Sequence, residues 1–354
     1  MSRAIPAALF GAWLAAISST SALAWDYPGH RIVGAVADAV LQQHYPKTYE
    51  RVSELLEIKR PGDLWQKRSL REVAVFPDCA KKGNEPYCGR PSSEEEKSYA
   101  EKNEHNDKFH YTDLPLQQPK YVAKLLGTDD IDVVQMINFV TAYLRTTDPA
   151  ATERPSKKGV RLTDTEAVWL LAHLVGDIHQ PLHVGAKYFD KTCETAVDPN
   201  AVADGLKAVA QTVGGNLIYL TAEPPAVPPA ANLHFYWDGA AVVRAMRIAG
   251  TLSSEQEYAK MLAAAPPAGW KTEGPAESWA EQWATEIMPL AAEAHDRLQI
   301  KKGKKPAPFS NTGGCTWEAT VDPAYEEWAA ERAEEQLKKA GFRLAALLKA
   351  IFEP

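Results

Sequence analysis

Apolar residues recur every three to four positions along most long segments of this chain. The spacing puts them on one helix face and predicts helices at residues 32–41, 131–144, 167–178, 240–248, 279–298 and 325–351. Strand-like alternation of apolar and polar residues is almost confined to residues 216–220. Residues 81–106, which are highly charged, and 223–231, which are rich in proline, are expected to be loops. The pattern therefore predicts an all-α domain with at most one short β-hairpin.

One helix start carries a strong local signal. Thr163 and Glu166 match the capping box, in which the two side chains bind backbone N–H groups that the first helical turn leaves without partners. The helix is expected to run to about Ile178, because Pro181 cannot continue it.

The first 24 residues have the composition of a secretory signal peptide. Arg3 supplies a positive charge, residues 4–17 are apolar, and residues 22–24 read Ala-Leu-Ala, a typical cleavage site. The apolar stretch is shorter than the ~20 residues that span a bilayer, which argues against a membrane anchor. We therefore expect a secreted or periplasmic protein with a mature domain at residues 25–354 and no membrane association after cleavage.

Export would place the cysteines where disulfides persist. The chain contains Cys79, Cys88, Cys193 and Cys315. An even number of cysteines fits two bridges, for which three pairings are possible. We favour Cys79 with Cys88, which closes a short loop, and Cys193 with Cys315. A zinc site built of thiolates is disfavoured, because no Cys-x2-Cys spacing occurs.

Acidic residues outnumber basic residues, 46 against 39, and the formal net charge is -7. The chain is 45% hydrophobic and 24% charged, as expected for a globular protein. The negative charge argues against a protein that holds nucleic acid through a basic surface. Any polyanionic partner must therefore be held by something other than net charge.

Histidine and aspartate recur in pairs at helical spacing. His173 and Asp177 are four residues apart on one predicted helix, so their side chains share a face, and His234 and Asp238 repeat the spacing. Imidazole and carboxylate together suit zinc or a similar divalent ion. Further candidates are His179 and His183, which follow this helix, and Asp78 and His110, which have apolar or aromatic neighbours. These residues predict a multinuclear metal site between facing helices.

The order of these motifs resembles that of the secreted zinc-dependent single-strand nucleases of the S1/P1 type, which include mung bean nuclease. The resemblance runs from residue 25 to about residue 247 and is most specific at residues 173–183, HLVGDIHQPLH. The other matching motifs begin at Trp25, Asp78, Phe109, Gly214 and Asn232. The resemblance implies a mostly helical domain around three zinc ions.

The resemblance also implies which residues bind each ion. The first ion would be bound by Asp78, His110, His173 and Asp177. The second would be bound by His30, by Asp177 as a bridge, and by the α-amino nitrogen and carbonyl oxygen of Trp25. The third would be bound by His183, His234 and Asp238. Every ligand type of the family therefore has a counterpart in this sequence.

The implied activity is endonucleolytic hydrolysis of single-stranded DNA and RNA to 5′-phosphorylated products, with removal of phosphate from 3′-mononucleotides. Asp113 matches the residue that orients the attacking water in the family. Tyr111 stands where the family has an aromatic side chain that stacks a nucleobase, and Asn216 lies in a segment that lines the same pocket. Stacking requires an unpaired base, which would explain a preference for single strands. The sequence indicates no protein partner.

The sequence departs from the family in three respects. Residues 186–213 form an insertion beside the expected cleft, and the cysteine positions do not match the usual disulfides of the family. No clear counterpart is found for a lysine that some members place near the phosphate. His179 follows Asp177 by two residues and is expected to be structural rather than a ligand. The remaining histidines outside the motifs, expected on the solvated surface, are His44, His105 and His295.

Two other functions fit parts of the sequence. A zinc-dependent phospholipase C would use the same cluster, but its third ion would have a glutamate where this chain has Asp238. A secreted zinc-binding protein without catalytic activity is disfavoured by the presence of Asp113 and of the complete ligand set.

Overall fold

The computed structural model describes residues 25–60, 64–81, 88, 91–146, 154–222, 232–305 and 313–353. The expected signal peptide at residues 1–24 and the expected loop at 223–231 lie outside these residues. Within them the chain is mostly helical, as the apolar pattern predicts. The α-helices are α1 (Tyr27–His44), α2 (Pro46–Leu55), α3 (Leu70–Val73), α4 (Phe76–Cys79), α5 (Glu94–Lys102), α6 (Val133–Arg145), α7 (Asp164–Asp177), α8 (Leu233–Phe235), α9 (Ala241–Ile248), α10 (Glu255–Ala263), α11 (Trp279–Asp296) and α12 (Pro323–Phe352).

The capping box predicted for α7 is present. The Glu166 N–H donates to Thr163 Oγ1 at 3.2 Å, and the Thr163 N–H donates to Glu166 Oε2 at 2.7 Å. A second capping box, formed by Ser93 and Glu96, begins α5. Helix α5 lies within residues 81–106, so the expectation of a loop throughout that segment is wrong.

Helix α7 lies in the middle of the core, where it packs against α1, α6 and α12. It is buried along its length from Glu166 to Asp177. Helices α1 and α12 approach closely at Gly341, where a Cβ atom would lie 2.4 Å from Val36 Cγ1. The polar side chains in the last turns of α7, His173 and Asp177, are therefore fully buried.

The described residues contain more strands than the single hairpin that the sequence predicts. The strands are β1 (Glu57–Arg60), β2 (Leu64–Lys67), β3 (Leu114–Pro115), β4 (Gly185–Ala186), β5 (Tyr188–Asp190), β6 (Val209–Gln211), β7 (Ile218–Ala222), β8 (Lys301–Lys302) and β9 (Trp317–Val321). Strands β1 and β2 and strands β5 and β6 pair antiparallel, β3 and β4 pair parallel, and β7, β9 and β8 form one sheet. The expectation of at most one hairpin is wrong. Several strands have only two or three residues and cannot show alternation, and the prediction missed the alternation of β9, whose side chains are buried at Trp317, Ala319 and Val321.

Both favoured disulfides are present. Cys79 is bonded to Cys88, and Cys193 is bonded to Cys315. The second bond joins residues 186–213, the expected insertion, to the chain that leads into β9. Among the described residues, no helix combines the length and the apolar character needed to cross a membrane.

Candidate metal centre

The predicted ligands converge in the core from four parts of the chain. His30 lies on α1, Asp78 on α4, and His173 and Asp177 on α7, while His110 ends a short 3-10 helix. All five side chains are at most 1% exposed. They form two overlapping sets whose ligand atoms lie within 4.8 Å of one another, one with His30, His173 and Asp177 and one with Asp78, His110 and His173.

His173 belongs to both sets, and the carboxylate of Asp177 also contacts histidines of both. Its Oδ1 lies 3.3 Å from His30 Nε2. Its Oδ2 lies 3.0 Å from His110 Nδ1 and 3.2 Å from His173 Nε2. A single carboxylate thus contacts three imidazoles, which is the arrangement expected of a bridging ligand.

A third set consists of His183, His234 and Asp238, which are also buried. The Nε2 atoms of His183 and His234 are 3.0 Å apart, and Asp238 Oδ2 lies 3.6 Å from His234 Nε2. His234 is on α8, and Asp238 is in the π-helical turn Tyr236–Ala240 that joins α8 to α9. A π-helical turn inside a helix is rare and occurs often at functional sites.

Backbone carbonyls orient the histidines of both regions. The Nδ1 atoms of His173, His183 and His234 lie 2.6 Å from Ala74 O, 2.6 Å from His110 O and 2.8 Å from Gly214 O, respectively. A carbonyl can only accept, so each Nδ1 carries the proton. The lone pair of each neutral imidazole is then on Nε2, the atom that faces the other ligands.

Burial keeps these imidazoles neutral. It lowers the pKa of His173 and of His234 to about 4, and it lowers the pKa of His110 and His183 well below the usual value. The Nε2 atoms of His173, His183 and His234 therefore face carboxylate oxygens and other ring nitrogens, and His110 faces them through Nδ1. Among the described residues, Asp238 Oδ2 makes no hydrogen bond. Such a group is unfavourable by itself and is stabilised by a cation between its members.

The carboxylates are also perturbed. Burial raises the pKa of Asp177 to about 7, and it raises the pKa of Asp238 well above the usual value. Burial alone would raise the pKa of Asp78 too, but the Lys81 ammonium, 2.7 Å from Asp78 Oδ1, together with His173 and His30, outweighs burial, and the pKa is lowered. Cations bound between these groups would favour their ionised forms.

Lys81 is a residue of this region that the sequence analysis missed. Its side chain is only 10% exposed, and it follows Asp78 by three residues. That spacing places the two side chains on one side of the turn that ends α4. The signal was therefore present in the sequence, as a lysine one turn after a candidate ligand.

The remaining histidines divide into surface and structural residues. His44 and His105 are exposed, as expected. His179 is buried away from the metal sets, with Nδ1 2.7 Å from Val175 O and Nε2 3.0 Å from Arg343 Nη1. His295 is buried as well, and its Nδ1 lies 2.8 Å from Ala291 O. The expectation that His295 is a surface residue is wrong, because α11 turns it toward the core.

The other predicted site residues lie close to these sets along the chain. Trp25 is fully buried, and its indole Nε1 donates to Gly176 O at 2.8 Å, next to Asp177. Asn216 is half-buried, and its Nδ2 donates to Val213 O at 2.9 Å. It follows Gly214, whose carbonyl accepts from His234.

Tyr111 and Asp113 follow His110 directly. The intervening Thr112 donates its N–H to His183 O at 2.8 Å, which ties this segment to the third set. Tyr111 is 36% exposed. Asp113 is half-buried, and burial raises the pKa of its carboxyl group to about 7. The segment thus places an exposed aromatic side chain and a perturbed carboxyl group next to the metal sets.

Comparison with known proteins agrees with this geometry. The sequence model of the S1/P1 nuclease family matches residues 25–353, nearly the whole chain. No curated protein sequence matches the chain. The family match covers all nine candidate ligands, from Trp25 to Asp238, and it includes the three buried His/Asp sets that could bind metal ions. The chain belongs to the S1/P1 nuclease family.

Proposed function

We propose that this protein is an exported zinc-dependent phosphodiesterase. It hydrolyses single-stranded DNA and RNA to 5′-phosphorylated products and removes phosphate from 3′-mononucleotides. The observation that carries the proposal is the burial of three His/Asp sets in which neutral Nε2 lone pairs face carboxylates. Three divalent cations in this position would also supply the local positive charge that a protein of net charge -7 lacks.

The residues fit three zinc ions. Asp78, His110, His173 and Asp177 would hold the first, and His183, His234 and Asp238 the third. His30, Asp177 and the backbone nitrogen and oxygen of Trp25 would hold the second. Nitrogen and carboxylate donors without thiolates are typical of catalytic zinc. When bound, zinc polarises phosphoryl oxygens and lowers the pKa of a bound water from 15.7 to about 7.

Asp113 is the residue that we assign to orient the attacking water. Its carboxylate form accepts a hydrogen bond from the water. Burial raises the pKa of this group to about 7, so the carboxylate predominates at pH values above about 7. The Lys81 ammonium adds a fixed positive charge beside Asp78, where it would attract the phosphate.

Tyr111 would stack an unpaired base of the substrate. Its ring is 36% exposed although its neighbours His110 and Thr112 are each 1% exposed, so it is open to a ligand while its backbone is held in place. Asn216 would lie at the same pocket. Base stacking on one side chain is worth about 1–3 kcal/mol and is available only to single strands.

Export is part of the proposal. The signal-peptide pattern of residues 1–24 and the two disulfides support it, because disulfides persist in oxidising compartments. Cleavage after Ala24 would convert the Trp25 nitrogen from a planar amide, which cannot coordinate a metal, into a free amine.

The test uses mature protein that begins at Trp25. It is incubated with single-stranded DNA, RNA, a 3′-mononucleotide and phosphatidylcholine vesicles, each with and without a chelator, and its metal content is measured. We expect about three zinc ions per chain and chelator-sensitive hydrolysis of the nucleic acids and the mononucleotide. Hydrolysis of phosphatidylcholine alone, or of none of the substrates by zinc-loaded protein, would contradict the proposal.

A further inference from the structure

The insertion at residues 186–213 contacts the backbone of Asp113 directly. Tyr188, which is fully buried, donates its hydroxyl hydrogen to Asp113 O at 2.7 Å. The Asp113 N–H donates to Gly127 O at 2.8 Å. Gly127 has φ of +98°, and a Cβ atom there would lie 2.1 Å from Asp113 O and 3.0 Å from Tyr188 Oη. The peptide groups on both sides of Asp113 are therefore hydrogen-bonded, and the backbone of Gly127 packs closely against Asp113 O.

The start of the insertion also fixes the strand that follows Asp113. Strands β3 and β4 pair in parallel, so that the Leu114 N–H donates to Val184 O at 3.0 Å. The Leu116 N–H donates to Ala186 O at 3.2 Å. The segment that carries Asp113 is thereby joined to the chain just after His183.

The middle of the insertion holds the loop that returns from β3 to Gly127. Gln118 Nε2 donates to Asp198 Oδ2 at 2.6 Å. The Leu126 N–H donates to Asn200 Oδ1 at 3.0 Å. The insertion therefore contacts the Asp113 segment, its continuation and its return loop.

The other side of the insertion is anchored to the three-stranded sheet. The Cys193–Cys315 disulfide is one link. Trp317 on β9 provides two more, because its Nε1 donates to Cys193 O at 2.9 Å and its ring stacks on Phe189 with centroids 4.7 Å apart. Contacts at both ends make the insertion a bridge between a fixed sheet and the Asp113 segment.

We propose that the insertion positions Asp113 for catalysis and that Tyr188 is its positioning residue. The inference rests on the proposed function, in which the Asp113 carboxylate orients the attacking water. Among the hydrogen bonds of the described residues, Tyr188 makes none with a candidate ligand, so it would act through the Asp113 backbone. Small displacements of a group that orients a nucleophile reduce kcat strongly while leaving substrate binding unchanged.

The first experiment compares Tyr188→Phe with Tyr143→Phe in zinc-loaded protein. Tyr143 is a matched control, because its hydroxyl also donates to a backbone carbonyl, Leu162 O, at 2.7 Å. Loss of the Tyr188 hydroxyl should lower kcat on single-stranded DNA about three- to tenfold with KM and zinc content unchanged. Hydrogen exchange in a peptide covering residues 112–118 should quicken in Tyr188→Phe only. Equal kcat values and equal exchange in the two variants would overturn the proposal.

A double-mutant cycle separates this proposal from the proposed function. In the Asp113→Asn background, Tyr188→Phe should cause no further loss, because the group that it positions is already gone. The same fold loss in both backgrounds would show that Tyr188 acts independently of Asp113 and would overturn the inference. Full activity of Asp113→Asn itself would instead refute the catalytic role assigned to Asp113.

Discussion

Two kinds of buried histidine lie within one short stretch of this chain. His179 and His183 both have Nδ1 within hydrogen-bond distance of a backbone carbonyl. The Nε2 of His179 accepts a hydrogen bond from Arg343, whereas the Nε2 of His183 faces the Nε2 of His234 and the carboxylate of Asp238. The structural histidine therefore has hydrogen-bond partners at both ring nitrogens. The metal-binding histidine has a lone pair that faces other lone pairs and is stabilised by a cation.

The charges around the two histidines differ in the same way. Arg343 beside His179 pairs with Glu286, which also accepts from Lys339 at 2.9 Å. Around the metal sets, the carboxylates of Asp177 and Asp238 face imidazoles, and among the described residues neither has a lysine or arginine within ion-pair distance. The charged groups around His179 thus pair with one another, whereas these two aspartates have no cationic side chain beside them among the described residues. The difference predicts opposite responses to substitution and to metal removal.

The largest effect is expected from Asp177→Asn. It removes the carboxylate that contacts three imidazoles, so it should release at least one zinc ion and lower activity more than about a hundredfold. Glu286→Gln is the matched control, since it neutralises a carboxylate among the ion pairs near His179 and should keep full zinc content. Hydrolysis of single-stranded DNA and metal analysis provide the readouts. Near-normal activity and zinc content in Asp177→Asn would refute the trinuclear assignment.

The next largest effect concerns the amino group of Trp25. A chain with an uncleaved extension ending at Ala24 should bind about one zinc ion fewer than a chain that begins at Trp25, because an amide nitrogen has no free lone pair. It should also be much less active. Metal analysis of the two proteins provides the test, and equal zinc content and equal rates would remove Trp25 from the centre.

Arg343→Met tests whether the groups around His179 are structural and separate from the metal sets. Its guanidinium also donates to Trp270 O at 2.9 Å and to Gly269 O at 3.1 Å, so its loss leaves several groups unpaired. We expect the free energy of unfolding to fall by about 2–4 kcal/mol. The zinc content of the folded protein should not change. Denaturant unfolding and metal analysis measure the two quantities. Loss of zinc from the folded variant would contradict the assignment of His179 as a structural histidine that is separate from the metal sets.

The smallest effect is expected from Tyr111→Ala. It should weaken cleavage of single-stranded substrates by about 1–3 kcal/mol, the size of one stacking contact. Zinc content should stay at the wild-type level, because Tyr111 supplies no ligand. Rates on single-stranded DNA and RNA, with metal analysis, provide the measurement. Unchanged rates on every substrate would mean that Tyr111 only packs.

The sequence predicted what depends on local spacing. The capping box at Thr163 and the pairing of His173 with Asp177 were readable because a helix puts such residues on one face. His295 carried a comparable signal, since it follows Ala291 by four residues on the buried face of α11, but it was interpreted as a surface residue. The helix begun by Ser93 was missed because the high charge of its segment outweighed a capping box that was present.

Contacts between distant segments could not be predicted in this way. Strands β3 and β4 have two residues each, and their pairing depends on how the chain folds between Leu114 and Gly185. The bond from Tyr188 to Asp113 likewise joins residues 75 positions apart. Such contacts leave no periodic pattern, so the contacts between residues 186–213 and the Asp113 segment are visible only in three dimensions.

The close approach of α1 and α12 at Gly341 has a consequence for the order in which the protein is made. His30 lies near the start of the domain, whereas α12, which packs against the helix that carries His30, is the last of the described helices. A growing chain therefore contains all nine candidate ligands before α12 has been synthesised. A chain truncated before α12 would keep every candidate ligand but would expose the face of α1 around Val36, so we expect it to bind metal less well than the full chain.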